Sequence, residues 1–165
     1  MWADAVLMDA KRSFYTVQDE VDASLARVHL AAVLLKFIGY SALNRCSLGY
    51  FQGLHDIAGV VMVVTNNEDV AAKALFRLAT TKLRALFADD IGPVLERPLA
   101  VVEKADPELM GFLKKGAASP LFARRWVMTW FSHDIDDPQT AQRMFDLLVA
   151  TDFTQVIYLS AALMC

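Results

Sequence analysis

The sequence predicts an all-α chain, folded as a single domain of about eight to ten short helices over residues 1–165. Three observations predict it. Apolar residues recur at alternating spacings of three and four, acidic or hydroxyl residues stand directly before prolines, and the one β-like run has no second run to pair with.

Taken in order, the first segment carries Val6, Asp9 and Arg12 three residues apart, which places them on one helical face. From Val21, the residues Leu25, Val28, Ala32 and Leu35 repeat at spacings of four and three, the mark of one helical face, and Gly39 is expected to end that helix. A loop, Asn44 to Gly49, leads to the stretch YFQGLHDIAGVVMVV, Tyr50 to Val64. Within it, Val60 to Val64 is rich in valine and invites a strand, but a lone strand cannot satisfy its own backbone. Helix is therefore predicted there, with this run in the core. Asn66 and Asn67 break the run, and a long helix is expected from Glu68 to about Phe87, its inner face formed by Val70, Ala74, Leu75 and Leu78 and continued by Leu83, Leu86 and Phe87.

In the second half, Asp106-Pro107, Ser119-Pro120 and Asp137-Pro138 each pair an N-cap oxygen with a proline at the first helical position. The helix from Pro107 is expected to finish with Lys114, Lys115 and Gly116, which suit the negative end of a helix dipole. Pro98 should kink or split the segment from Pro93 to Lys104. Phe122, Trp126 and Trp130, at spacings of four, read as a core stripe, and Arg124 and Arg125 as a solvated or partner-facing corner.

Composition narrows the function classes. With 165 residues, the chain suits one domain, and its 56% hydrophobic content and mean hydropathy of +0.35 exceed the usual ~45–50% apolar fraction. Some apolar surface must find cover beyond the chain's own core, whether from a membrane, an oligomer or helices of a longer parent protein. A spanning helix is not predicted, because no uninterrupted apolar stretch reaches ~18–20 residues and Arg27, His29 and Lys36 interrupt the segment from 21 to 38. Asp4 and Asp9 stand where a signal peptide would be basic. Cys46 and Cys165 form no C-x-x-C pattern, which fits a reducing, cytoplasmic setting, and a net charge of -3 offers no field for nucleic acid.

Two constellations carry chemistry. His29, His55 with Asp56, and then Asp134 or Asp136 are similar to the H…HD…D pattern of all-helical HD metal-dependent phosphohydrolases, whose metal makes a hydroxide nucleophile. The other begins with Val6-x-x-Asp9-x-x-Arg12 and continues with Tyr50-x-Gln52-Gly53. Together these resemble the IxxDxxR and YxQG signatures of the TBC family of Rab GTPase-activating proteins. His55-Asp56-Ile57, Trp126-x-x-x-Trp130-Phe131 with His133, and Phe145-Asp146-Leu147-Leu148 extend the likeness, most closely to the branch anchored at the endoplasmic reticulum.

The resemblance implies that Arg12 is an arginine finger and Gln52 a glutamine finger, both delivered in trans to a GTP-bound Rab. GTP and Mg are then carried by the partner, and the chain needs no cofactor or metal of its own. Asp9 is expected to hold the guanidinium, Tyr50 to pack beneath the loop, Gly53 to let the backbone approach the partner, and His55 and Asp56 to brace the helix that carries Gln52. Val6 replaces the usual isoleucine and Leu54 the usual methionine, both with little change of apolar volume. Measured against the family, the chain is expected to lack flanking helices at both ends and the branch's membrane anchor, and likeness to that branch implies early secretory traffic, with a peripheral place at endoplasmic reticulum or Golgi membranes. A Rab-binding or scaffold module with weak catalysis is the alternative that such a short form raises.

Overall fold

The computed structural model describes residues 2–13, 20–46, 48–115 and 121–165, and for Glu20, Leu121 and Phe122 only the backbone. Among the described residues there is no strand, and the helices are α1 (Trp2–Arg12), α2 (Glu20–Leu43), α3 (Leu54–Thr65), α4 (Glu68–Thr81), α5 (Gly92–Leu95), α6 (Arg97–Ala105), α7 (Pro107–Lys115), α8 (Leu121–Thr129), α9 (Pro138–Ala150) and α10 (Thr154–Ala162). A 3-10 turn, Arg84–Phe87, follows α4.

α2 is the spine. It packs against α1, α3 and α4, while α3 in turn meets α8 and α9. α10 lies across α6 and α8 and closes the far end. The main core gathers Leu30, Leu34, Phe37, Leu54, Ile57 and Leu75, each 0–1% exposed, and a smaller cluster of Val102, Met110 and Ala161 joins α6, α7 and α10. Full burial of one such side chain stabilises by about 1.5–3 kcal/mol.

The 3.6-residue period is present in α2, yet the stripe that announces it points outward. Val21, Leu25 and Val28 are 77%, 56% and 63% exposed, and the buried face is formed instead by Ala23, Leu30, Val33, Leu34 and Phe37. An apolar stripe on each side of one helix is what the high hydrophobic content required. Gly39 does not end α2, which continues to Leu43. A glycine costs only about 1 kcal/mol in a helix interior, and the last turn is held by the buried Ser41, whose hydroxyl lies 2.7 and 2.8 Å from the Cys46 and Leu48 carbonyls and donates to one of them at a time. Left-handed Arg45, at φ 53°, then turns the chain.

Val60 to Val64 is helical as expected, but only Val61 of the run is buried, and Val63 and Val64 are 54% and 61% exposed. Five successive helical residues point in too many directions for one face to cover. Asn66, left-handed at φ 47°, ends α3, and the Asn67 side chain caps α4 by accepting from the Asp69 and Val70 amides at 3.0 Å. α4 stops at Thr81, short of Phe87. Thr80 and Thr81 turn their hydroxyls back to the Arg77 carbonyl, and the Lys82 ammonium crosses to the Thr151 carbonyl at 2.6 Å. The 3-10 turn still buries Leu86, just beyond buried Leu83. Inside α4, Ala71, Ala72, Leu75 and Ala79 form the buried face, Ala74 and Leu78 are half-buried, and Val70 is exposed.

Asp106 accepts from the Leu109 amide at 2.9 Å and Asp137 from the Thr140 amide at 2.8 Å, so both are the predicted caps. Pro98 stands in the first turn of α6, and the chain divides from α5 at Glu96. Ser119-Pro120, Gly116 and the Phe122 side chain lie outside the described residues. Trp130, 1% exposed, packs edge-on against Phe145 at 5.5 Å between centroids, and half-buried Trp126 packs on Phe131 at 5.7 Å.

Candidate functional site

The last turn of α1 and the turn ahead of α3 meet at one buried carboxylate. Asp9 has a side chain only 7% exposed and bonds Arg12, one helical turn on, whose own side chain is 63% exposed. Three residues of separation put both groups on one face, so an interior acid reaches an exterior cation without leaving the helix. The other Asp9 oxygen accepts from the Tyr50 hydroxyl at 2.6 Å.

That phenol has a single proton. With it given to Asp9, the 3.1 Å contact between the Tyr50 oxygen and His55 Nδ1 requires the imidazole to donate there. His55 Nδ1 also lies 3.7 Å from Asp9. Burial pushes the Asp9 carboxyl up, but hydrogen bonds from Tyr50 and Arg12 and the nearby His55 and Arg12 charges outweigh it and hold the acid below its ordinary 3.8. Burial, followed by the bond to Asp9, drives the Tyr50 phenol far above its ordinary value, so it remains a donor throughout the physiological range.

The chain continues past His55. Asp56 Oδ2 sits 3.5 Å from His55 Nε2 and 3.2 Å from His133 Nδ1, joining α3 to the loop after α8. That loop leaves α8 through two successive left-handed residues, Trp130 at φ 51° and Phe131 at φ 66°, a conformation costly for aromatic residues and maintained here by burial of both rings to 1–2% exposure.

Gln52 is exposed in the turn just before α3, not on the helix itself. Gly53, the next residue, has φ 108°, and a Cβ there would come within 3.2 Å of the Thr129 methyl. Gly53 therefore serves the inside of the molecule, because it lets the turn lie against α8 while Gln52 points out. At the other side of the corner, the Arg27 Nε donates to the Ser13 carbonyl at 3.0 Å, and the Ser13 hydroxyl donates to the Asp9 carbonyl at 3.0 Å. These bonds finish the C-terminal end of α1, where Arg12 stands, and tie it to α2.

Every residue singled out around the arginine and glutamine motifs is therefore in one corner: Asp9, Arg12, Tyr50, Gly53, His55 and Asp56 are connected by contact or by adjacency, and Gln52 is two residues from Tyr50. Of the HD set, His55, Asp56 and Asp136 line one cavity, whereas His29 and Asp134 do not join them. His29 instead contacts Glu68 at 2.6 Å, and Asp134 takes the Arg125 guanidinium, with Nε at 3.1 Å. Among the described residues, no group of three or more His, Cys, Asp and Glu side chains is arranged to hold a metal ion. Arg124 faces Glu96 at 3.2 Å, so both arginines of that corner have intramolecular partners. Arg27 and Thr129 carry no motif and were not legible as site residues. A cation within an apolar helix was the only available sign for Arg27.

Residues 2–165 match the Rab-GTPase-TBC domain model. The chain is 32% identical over 159 residues to "GTPase-activating protein gyp10" of Schizosaccharomyces pombe, covering 94% of the chain and 42% of that protein. It is 27% identical over 161 residues to "TBC1 domain family member 20" of Homo sapiens, covering 96% of the chain and 40% of that protein. The chain thus spans about two-fifths of the length of the curated relatives it matches. Among the described residues, no helix is long and apolar enough to cross a membrane.

Proposed function

Since the chain belongs to the Rab-GTPase-TBC domain family, we propose that it is a GTPase-activating module for a Rab-family GTPase, with Arg12 and Gln52 delivered together to the partner's nucleotide. GTP and Mg belong to the partner in its GTP-bound state, and the chain contributes side chains alone.

One observation carries the reading: an exposed guanidinium is held by a buried carboxylate that is itself held by a tyrosine two residues from Gln52. Phosphoryl transfer from GTP has a loose transition state whose charge spreads over the γ-phosphoryl and leaving oxygens, so a cation introduced there lowers the barrier more than it tightens ground-state binding. Arginine suits the role because its planar fork of donors matches phosphate oxygens and its charge is permanent. Asp9 bonds one nitrogen of the fork, and the Arg12 side chain remains 63% exposed. The Gln52 amide offers a carbonyl to accept from the attacking water and an NH2 to donate to phosphate. Its place in a turn braced by Gly53 and Tyr50 restricts the search it must make before reaction.

The test is single-turnover GTP hydrolysis across a panel of GTP-loaded Rab proteins. At least one is expected to be accelerated, and Arg12→Ala is expected to remove about 10³ to 10⁵ of that acceleration, equivalent to roughly 4–7 kcal/mol of barrier. Gln52→Ala should act in the same direction without changing the helical circular-dichroism signal. A folded chain that binds a Rab and accelerates none would instead support the scaffold alternative.

A further inference from the structure

Beside the Arg12 corner lies a cavity of about 190 Å³ that none of the roles above uses. Leu30 of α2, Gly59, Val60 and Val63 of α3, and Ile135, Pro138 and Ala141 give it apolar walls. Polar groups share the lining: Ser13 at the end of α1, His55 and Asp56, Ser132 and His133 of the loop after α8, and Asp136 and Gln142, with the His55 and Asp56 side chains largely buried.

We infer that this cavity is an anchor pocket that receives one bulky apolar side chain of the GTPase as it docks, and so sets affinity for the partner, not the rate of the chemical step. The inference rests on the activator reading above.

Size decides the class of occupant. Pockets for whole small molecules usually measure about 300–1,000 Å³, whereas an apolar cavity near 150 Å³ accommodates a single benzene ring. A volume of about 190 Å³ fits one aromatic or large aliphatic side chain. Position decides its source. Ser13 follows Arg12 directly and His55 is three residues beyond Gln52, so the cavity borders the corner that presents both fingers. The lining suits an anchor as well. Interface hot spots gather where a large side chain enters a desolvated pocket surrounded by polar groups that exclude water, and here the Asp56–His133 contact at 3.2 Å supplies part of such a ring. Val63 is 54% exposed at the wall, which gives the incoming side chain apolar area that is otherwise open to solvent.

The experiment fills the pocket from its exposed side. In multiple-concentration single-turnover assays with the responsive Rab, Val63→Trp is expected to raise the half-saturating GTPase concentration about tenfold or more and to leave the saturated rate within about twofold. Circular dichroism and thermal melting establish that the variant is folded. A photo-crosslinking benzoylphenylalanine placed at Val63 is expected to capture the GTPase in a GTP-analogue complex, through a peptide containing a large apolar surface residue. A folded Val63→Trp variant with native half-saturation, or a crosslinker that captures no GTPase while the native chain remains an activator, would overturn the anchor pocket and leave the activator reading intact. If the native chain accelerates no Rab, the activator reading fails, and the anchor fails with it.

Discussion

Two carboxylates, Asp9 and Glu68, each hold a pair of side chains, and their surroundings separate their roles. Asp9 bonds Arg12 and Tyr50 from a position 7% exposed, whereas Glu68 accepts from Lys36 at 2.8 Å and contacts His29 at 2.6 Å from a side chain 30% exposed. Hydrogen bonds from Lys36 and His29 lower the Glu68 pKa too, but water screens that cluster and the gain is small. Similar chemistry thus produces a fixed cation support in one place and an ordinary surface junction between α2 and α4 in the other. Burial, more than the type of pair, determines which arginine or lysine is preorganised.

Neutralising each acid in turn separates the two sites most clearly. Asp9→Asn retains the shape but loses the charge that orients Arg12, and a misplacement of about 1 Å at a reacting group can cost roughly 100-fold. We expect GTPase activation to fall by about 10- to 100-fold, and stability by about 1–3 kcal/mol because buried hydrogen bonds to a charged group are weakened. Denaturant midpoints and single-turnover rates report the two effects separately. Gly53→Ala comes next. The left-handed φ of 108° and the 3.2 Å approach to Thr129 should make it cost about 1–3 kcal/mol, read as a lowered melting temperature, with Gln52 displaced and the saturated rate reduced.

Acid titration gives a smaller and more specific effect. The Asp9 pKa is depressed below 3.8 in the folded chain, so the unfolded chain binds the proton first as pH falls. The Asp9 contribution is therefore present above its unfolded value and is lost as pH falls through the folded one. Stability of the native chain, measured by urea midpoints, should decline more steeply than that of Asp9→Asn below about pH 4. Glu68→Gln is the smallest change. Its solvent-screened cluster should leave the urea midpoint close to that of the native chain and activation unchanged.

Much of this contrast was legible in the sequence, but not its depth. The all-α class, the caps at Asp106 and Asp137, and the shared face of Asp9 and Arg12 follow from local spacing, because helices satisfy their backbone within a few residues. Periodicity marks an apolar face without saying what covers it, so the Val21–Leu35 stripe named the outer side of α2 while Leu30, Leu34 and Phe37 took the core. The Asp56–His133 contact joins residues 77 positions apart, and the left-handed turn at Trp130 and Phe131 places aromatic residues where glycine is usual. Neither has a local signature. The Glu68 cluster was illegible for the same reason, since His29 and Lys36 gain their meaning only when α4 is laid against α2.

If burial is what preorganises the cation, Asp9 acts on catalysis through Arg12 alone, as the buried half of one unit. A double-mutant cycle in single-turnover GTP hydrolysis tests this with the native chain, Asp9→Asn, Arg12→Ala and the combined variant. The combined variant is expected to be no slower than Arg12→Ala, because without the guanidinium there is nothing for Asp9 to orient. Losses that multiply instead would mean that Asp9 acts independently of the arginine, and the two would not form a unit.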